Sequence, residues 1–144
     1  MRKQNAASTS VLVRNTREAM IQISRYLHTA ILVSDLEKAD FFYGTVLGLP
    51  PVDRSLKFPG RWYQIGEVQI HLIVQEGLSQ TIANDAKWGR NPHLALAVTD
   101  LDAAKAQLEK YGYALQMSAS GRSAAFTQDP DGNVVELTQV KSER

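Results

Sequence analysis

The chain has 144 residues, 44% of them hydrophobic and 22% charged, with a net charge of +1 and no cysteine. That is enough apolar content for one domain with its own core, and the near balance of charge speaks against the one-sided basic surface of a nucleic-acid binder. The lack of cysteine removes disulfides, thiolate metal sites and thiol nucleophiles. No apolar run approaches the roughly 18–20 residues that span a bilayer, and no long apolar segment follows Arg2 and Lys3, so the expectation is a cytoplasmic protein without membrane or nucleic-acid partners.

Residues 1–25 form an extension with no counterpart later in the chain. Its segment Val11–Gln22 carries apolar residues near helical spacing, with Asn15 or Thr16 as a possible cap, and predicts a short helix. Tyr26–Ser34 is mostly apolar and bounded by Ser34-Asp35, which predicts a buried strand. Ser34 or Asp35 then caps a helix from Leu36 to about Leu47, stopped by Gly48 and barred from continuing by Pro50-Pro51. Three strands are expected next, over Val52–Phe58, Arg61–Gly66 and Val68–Gln75, which makes a βαβββ unit.

Residues 76–91 are a polar linker with room for a helical turn, and residues 92–140 repeat the pattern. A strand is expected at His93–Val98, then a helix capped by Thr99 or Asp100 and running to about Tyr111, where Gly112 ends it. Strands near Ala114–Ser118, Arg122–Gln128 and Asn133–Val140 follow, the last two joined by the tight-turn sequence Asp129-Pro130-Asp131-Gly132-Asn133. The fold class is α+β, one domain over residues 26–140 built of two repeats (26–75 and 92–140), with 141–144 as a tail.

The repeat is visible residue by residue. LHTAILVSDLEKA (27–39) returns 65 positions later as PHLALAVTDLDAA (92–104), sharing His28/His93, Ala30/Ala95, Val33/Val98, Asp35/Asp100, Leu36/Leu101 and Ala39/Ala104. The same offset lays VQIHLI (68–73) over NVVELT (133–138), setting His71 opposite Glu136. A histidine on an apolar strand is ordinarily bonded to a backbone carbonyl, and a glutamate within an apolar run ordinarily faces water. Here, however, every histidine of the chain falls at one of four repeat-related places, and the fourth is a carboxylate, whose burial without a cation is costly. If the halves pair by pseudo-twofold symmetry, His28, His71, His93 and Glu136 converge. Three imidazoles and a carboxylate suit one divalent transition ion (Ni, Co, Zn, Mn or Fe) and leave positions for water or substrate. Arg122, in the SGRS segment, is the candidate for holding an anionic substrate group.

With its paired βαβββ units, LHTAILVSDLEKADFFYGTVLGL, PHLALAVTDLDAA and the closing FTQDPDGNVVEL, the chain from about Tyr26 to Val140 resembles the vicinal oxygen chelate superfamily, which includes glyoxalase I, extradiol dioxygenases, fosfomycin-resistance thiol transferases and bleomycin-resistance proteins. The resemblance implies eight strands in a half-open barrel, metal ligands at His28, His71, His93 and Glu136, a small-molecule substrate with vicinal oxygens, and a homodimer. It implies an isomerase, lyase or ring-cleaving dioxygenase in which His71 or Glu136 moves the proton; the alternative on the same scaffold is a non-catalytic small-molecule binding or resistance protein. Two departures from the glyoxalase I pattern stand out: His71 where a glutamate is common, and Thr29-Ala30-Ile31-Leu32 where an arginine contacts glutathione. The loop Gln116–Phe126 has neither the Lys nor the Tyr of the fosfomycin enzymes.

Overall fold

The computed structural model describes residues 20–55, 57–79 and 81–141. Most of the helix expected over Val11–Gln22 lies outside the described residues; its last three, Met20–Gln22, are exposed and not helical. The first repeat runs β1 (His28–Val33), α1 (Leu36–Asp40), β2 (Gly60–Ile65) and β3 (Val68–Val74). The second runs β4 (His93–Val98), α2 (Leu101–Lys110), β5 (Gln116–Met117), β6 (Ala124–Gln128) and β7 (Val134–Gln139). The sheets have orders β1-β3-β2 and β4-β7-β6-β5, and in each the first strand lies parallel to the last. The two registers match: Ala30 is opposite His71, and Ala95 is opposite Glu136.

The strand expected over residues 52–58 does not form, and the sheets remain open. Pro51 makes a single bridge to Tyr63, Val52 N donates to the Trp62 carbonyl (2.8 Å), Gln64 N donates to the Pro50 carbonyl (2.9 Å), and the chain then leaves the sheet. Beyond Val52 the residues Asp53-Arg54-Ser55 offer no β-branched or apolar side chain to hold a strand, and Arg54 lies over the Trp62 ring instead. This rung occupies in the first repeat the place that β5 holds in the second.

Both helices start on an aspartate. The carboxylates of Asp35 and Asp100 accept from Lys38 N and Ala103 N, each at 3.0 Å, in the same capping geometry. Beyond α1 the backbone widens into a π-helical stretch, Phe41–Val46, in which Leu47 N donates to the Phe42 carbonyl at 2.9 Å. Gly48, at φ 73°, ends it. The stretch directs Phe42, Tyr43 and Val46 inward.

Among the described residues, strand alternation gives each sheet a helix-covered face and an uncovered one. Ile31 and Val33 of β1, Tyr63 of β2 and Ile70 and Leu72 of β3 are buried in a core that also holds Ala39, Phe42, Tyr43, Leu101, Leu108, Val135 and Leu137, so the two repeats share it. Phe42 meets Tyr113 of the other repeat edge-on at 4.9 Å. Each of these large side chains contributes roughly 1.5–3 kcal/mol on burial.

The turn at residues 129–133 ties the halves together. Asp129 Oδ1 accepts from the backbone N–H groups of Asp131 and Asn133 (2.9 Å each), which shapes the turn, while its Oδ2 accepts from the Tyr43 hydroxyl at 2.8 Å. Asp131 accepts from both the backbone N–H and the hydroxyl of Ser34, and Asn133 donates to the Leu32 carbonyl at 3.1 Å.

Candidate functional site

The uncovered face of the first sheet carries His28, Ala30 and Leu32 from β1, Gln69, His71 and Ile73 from β3, and Trp62 and Gln64 from β2. The imidazole of His71 lies between two rings: His28 at 4.0 Å and 17°, and Trp62 at 3.8 Å and 6°. The Arg54 guanidinium covers Trp62 at 4.3 Å, so Arg54, Trp62, His71 and His28 form a stack of four flat groups. Burial, and then the neighbouring His28 and Arg54, hold His71 below the ordinary imidazole range, which keeps it neutral with a lone pair to offer. The Trp62 indole N–H is buried without a partner among the described residues.

The uncovered face of the second sheet carries His93, Ala95 and Ala97 from β4, Glu136 and Thr138 from β7, and Phe126 from β6. His93 Nδ1 lies 2.7 Å from the Asn91 carbonyl oxygen, so Nδ1 carries the donating proton and Nε2 the lone pair of the neutral ring. Asn91 is itself fixed: its amide donates to the carbonyls of Asn84 (2.9 Å) and Trp88 (3.0 Å) around the 3-10 turn Trp88–Arg90, the helical turn foreseen in the linker. His93 Nε2 faces Glu136 Oε1 at 3.3 Å. Glu136 is 7% exposed as a residue; its other oxygen accepts from the Thr138 hydroxyl, and Arg122 Nη2 stands 3.7 Å from Oε1. Arg122 Nε donates to Ser120 Oγ at 3.1 Å. Arg122 and Phe126 line a cavity of about 520 Å³ together with Lys87, Arg90, Ser118 and Ser120.

The four ligand candidates therefore stand in one chain as two pairs, His28 with His71 and His93 with Glu136. Among the described residues no three His, Asp or Glu side chains gather at one point. The chemistry of the donor sets fits a divalent transition ion. In the second pair an imidazole lone pair and a carboxylate oxygen face each other at 3.3 Å, and two acceptors so placed call for a cation or a proton between them. Phe126 and Asn91 join the site unannounced by sequence; Trp62 and Gln64 join it from β2, a strand whose alternate residues could face either the pocket or the core. The facing of β2 cannot be fixed without its register, and an aromatic on a strand reads first as core.

Known proteins of one superfamily resemble the chain in sequence and fold. Residues 25–137 match the family model described as glyoxalase/bleomycin resistance protein/dioxygenase superfamily. The lactoylglutathione lyase of Salmonella typhimurium is 32% identical over 130 residues, covering 81% of this chain and 93% of its own. The human mitochondrial methylmalonyl-CoA epimerase is 28% identical over 150 residues, covering 94% of this chain and 85% of its own. Among solved structures, a glyoxalase family protein from Bacillus anthracis superposes with a TM-score of 0.67 at 25% identity, over 85% of this chain and 99% of that one.

Proposed function

The chain belongs to the glyoxalase/bleomycin resistance protein/dioxygenase superfamily, and from that premise we propose that it is a divalent-metal-dependent enzyme that moves a proton on a small substrate with adjacent oxygens. The two relatives bear the names of a lyase and an epimerase, which favours proton transfer over ring cleavage. The observation that carries the reading is the His93–Glu136 pair, with the imidazole lone pair fixed toward the carboxylate by the bond to Asn91.

A catalytic ion takes three or more protein ligands, and each pair provides two. A second copy of the chain supplies the missing half: His28 and His71 of one subunit complete a centre with the other pair contributed by its partner. The uncovered faces support such pairing, since Ala30, Leu32, Ala95 and Ala97 beside the histidines are exposed in the single chain. When bound, the ion would act as a Lewis acid that polarises the substrate's oxygens.

The remaining roles belong to the protein. His71, neutral and held flat between His28 and Trp62, has one lone pair; when that pair is not given to the ion it would accept the proton from the substrate carbon and return it. Glu136 is the other candidate, but the Thr138 hydroxyl already occupies one of its oxygens. Arg122, in the lining of a cavity that also presents Lys87 and Arg90, takes an anionic group of the substrate.

The test is elemental analysis of His28→Ala and His93→Ala, each expected to fall well below one metal per chain. Unchanged stoichiometry rejects the ligand assignment. Turnover of methylglyoxal with glutathione, catechols or fosfomycin that depends on added metal supports an enzyme; a tightly held ligand recovered unchanged supports a binding protein.

A further inference from the structure

Gln64 on β2 and Gln69 on β3 link His71 to the backbone. Gln64 Nε2 donates to the Gly66 carbonyl at 2.8 Å and, at 3.4 Å, to that of Val68. A carbonyl oxygen can only accept, so these bonds fix which way the Gln64 amide points. Its Oε1 in turn accepts from Gln69 Nε2 at 2.8 Å. Turning Gln69 over would set two amide oxygens against each other, so Gln69 Oε1 is the atom that lies 2.8 Å from His71 Nε2. Opposite an acceptor, that nitrogen must carry a proton.

We propose that Gln64 and Gln69 are positioning residues that hold His71 as its Nε2–H tautomer, so that Nδ1 is the nitrogen it offers to a bound ion or a substrate proton. The proposal rests on the reading of His71 as part of the site. A ligand and a base both need a lone pair, and with Nε2 committed to Gln69 the pair sits on Nδ1, which has no hydrogen-bond partner among the described residues. Rotating the ring by half a turn would carry Nε2 away from Gln69, and the stack with His28 and Trp62 holds the ring plane. His93 is committed the other way round, through Nδ1 to the Asn91 carbonyl, with Nε2 left over. His71 and His93 thus present opposite nitrogens, the first through a side-chain relay and the second through a backbone carbonyl.

With only three histidines in the chain, the relay can be read by 15N–1H spectroscopy of the imidazole groups in the chelator-treated, full-length protein. The expected result is a His71 cross-peak on Nε2, protected from solvent exchange. It should be lost to exchange at least tenfold faster in Gln69→Leu, and kept in Gln69→Glu, whose carboxylate still accepts. The Nδ1–H peak of His93 is the control and should persist throughout. If Gln69→Leu loses that peak as well, Gln64→Leu decides by the same criterion, since it removes the anchor without touching the His71 ring. A His71 proton on Nδ1 in the wild type, or an Nε2–H peak unchanged in the deciding variant, overturns the proposal. The two readings fail separately. A chain that binds no metal yet shows the protected Nε2–H keeps the relay and loses the ligand assignment. One that binds metal with the proton on Nδ1 does the reverse.

Discussion

Tyr43 gives its phenolic proton to Asp129 at 2.8 Å across the boundary between the repeats, and both side chains are buried. One comes from the helical segment after α1 and the other from the turn before β7, so this bond helps fix how the two half-sheets sit against each other. Burial pushes the Asp129 carboxyl above its usual range even though Asn133, Tyr43 and the turn N–H groups pull it down. Replacing Tyr43 with Phe removes a donor from a buried carboxylate and should cost about 1–3 kcal/mol. A urea midpoint within error of wild type would show that the bond contributes nothing to stability.

The same phenol predicts sensitivity to alkali. Burial holds the Tyr43 hydroxyl well above the ordinary value of 10.0, as it does for Tyr63, which also donates to Asp40, and for Tyr113. Unfolded phenols ionise near pH 10 while the folded ones keep their protons, so the folded state binds more protons above that pH. The stabilisation is fully present below pH 10 and is lost as pH rises beyond it, by up to about 1.4 kcal/mol per pH unit for each group. Urea midpoints between pH 8 and 11 should stay level and then fall, less steeply in Tyr43→Phe.

A site divided between subunits makes a prediction about mixtures. His28→Ala and His93→Ala are each expected to be metal-poor. In a mixed dimer, the intact first repeat of the His93→Ala chain meets the intact second repeat of the His28→Ala chain, so one centre of the two is whole. Co-refolding equal amounts should restore about a quarter of the wild-type metal content, since about half of randomly paired dimers are mixed and each has one whole centre of two. No recovery would mean that the ligands come together within a single chain or not at all.

Gly89 controls the position of His93 at one remove. A Cβ built there would lie 2.6 Å from Cζ of Phe126, whose ring meets His93 edge-on at 5.6 Å. Gly89→Ala must therefore shift the phenyl ring, and with it the packing on His93, or move the turn. Overpacking of this kind costs about 1–3 kcal/mol. Metal affinity, measured by competition with a chelator, should fall about tenfold, and Gly89→Ala/Phe126→Leu should recover part of it.

Arg122 can be tested through kinetics once a substrate is found. Losing one charge-assisted contact of about 1.5–3 kcal/mol should raise KM for an anionic substrate by tenfold or more in Arg122→Gln, with kcat little changed. A fall in kcat alone would give the arginine a different task, steadying Glu136.

Much of this architecture can be read from the sequence because the duplication repeats each signal. Asp35 and Asp100 cap equivalent helices, and the 65-residue offset that pairs His28 with His93 also predicts the matching registers of Ala30 with His71 and Ala95 with Glu136. Single-copy features are harder. Val52–Phe58 stands where the repeat calls for a strand, but Asp53-Arg54-Ser55 carries no apolar alternation, and the segment departs after one rung. Trp62 illustrates a different limit: its place beside His71 depends on which residue of β3 it pairs with, a non-local fact absent from local pattern. The division of the ligands into pairs depends on how the half-sheets sit relative to each other, which the Tyr43–Asp129 and Ser34–Asp131 bonds help set and no periodicity records.

Each sheet has a closed side and an open side, and the two answer to different demands. On the closed side Val33, Leu72 and Val135 are wholly enclosed, where trimming a side chain to alanine removes a few kcal/mol. On the open side Ala30, Ala95 and Ala97 are exposed in the single chain, and changes at such positions usually alter the folding of that chain by no more than about 0.5 kcal/mol. A lineage can therefore rework the open side one residue at a time while the closed side keeps the chain folded. Reactivity on such a body is free to drift, and the body can outlast any one reaction it hosts.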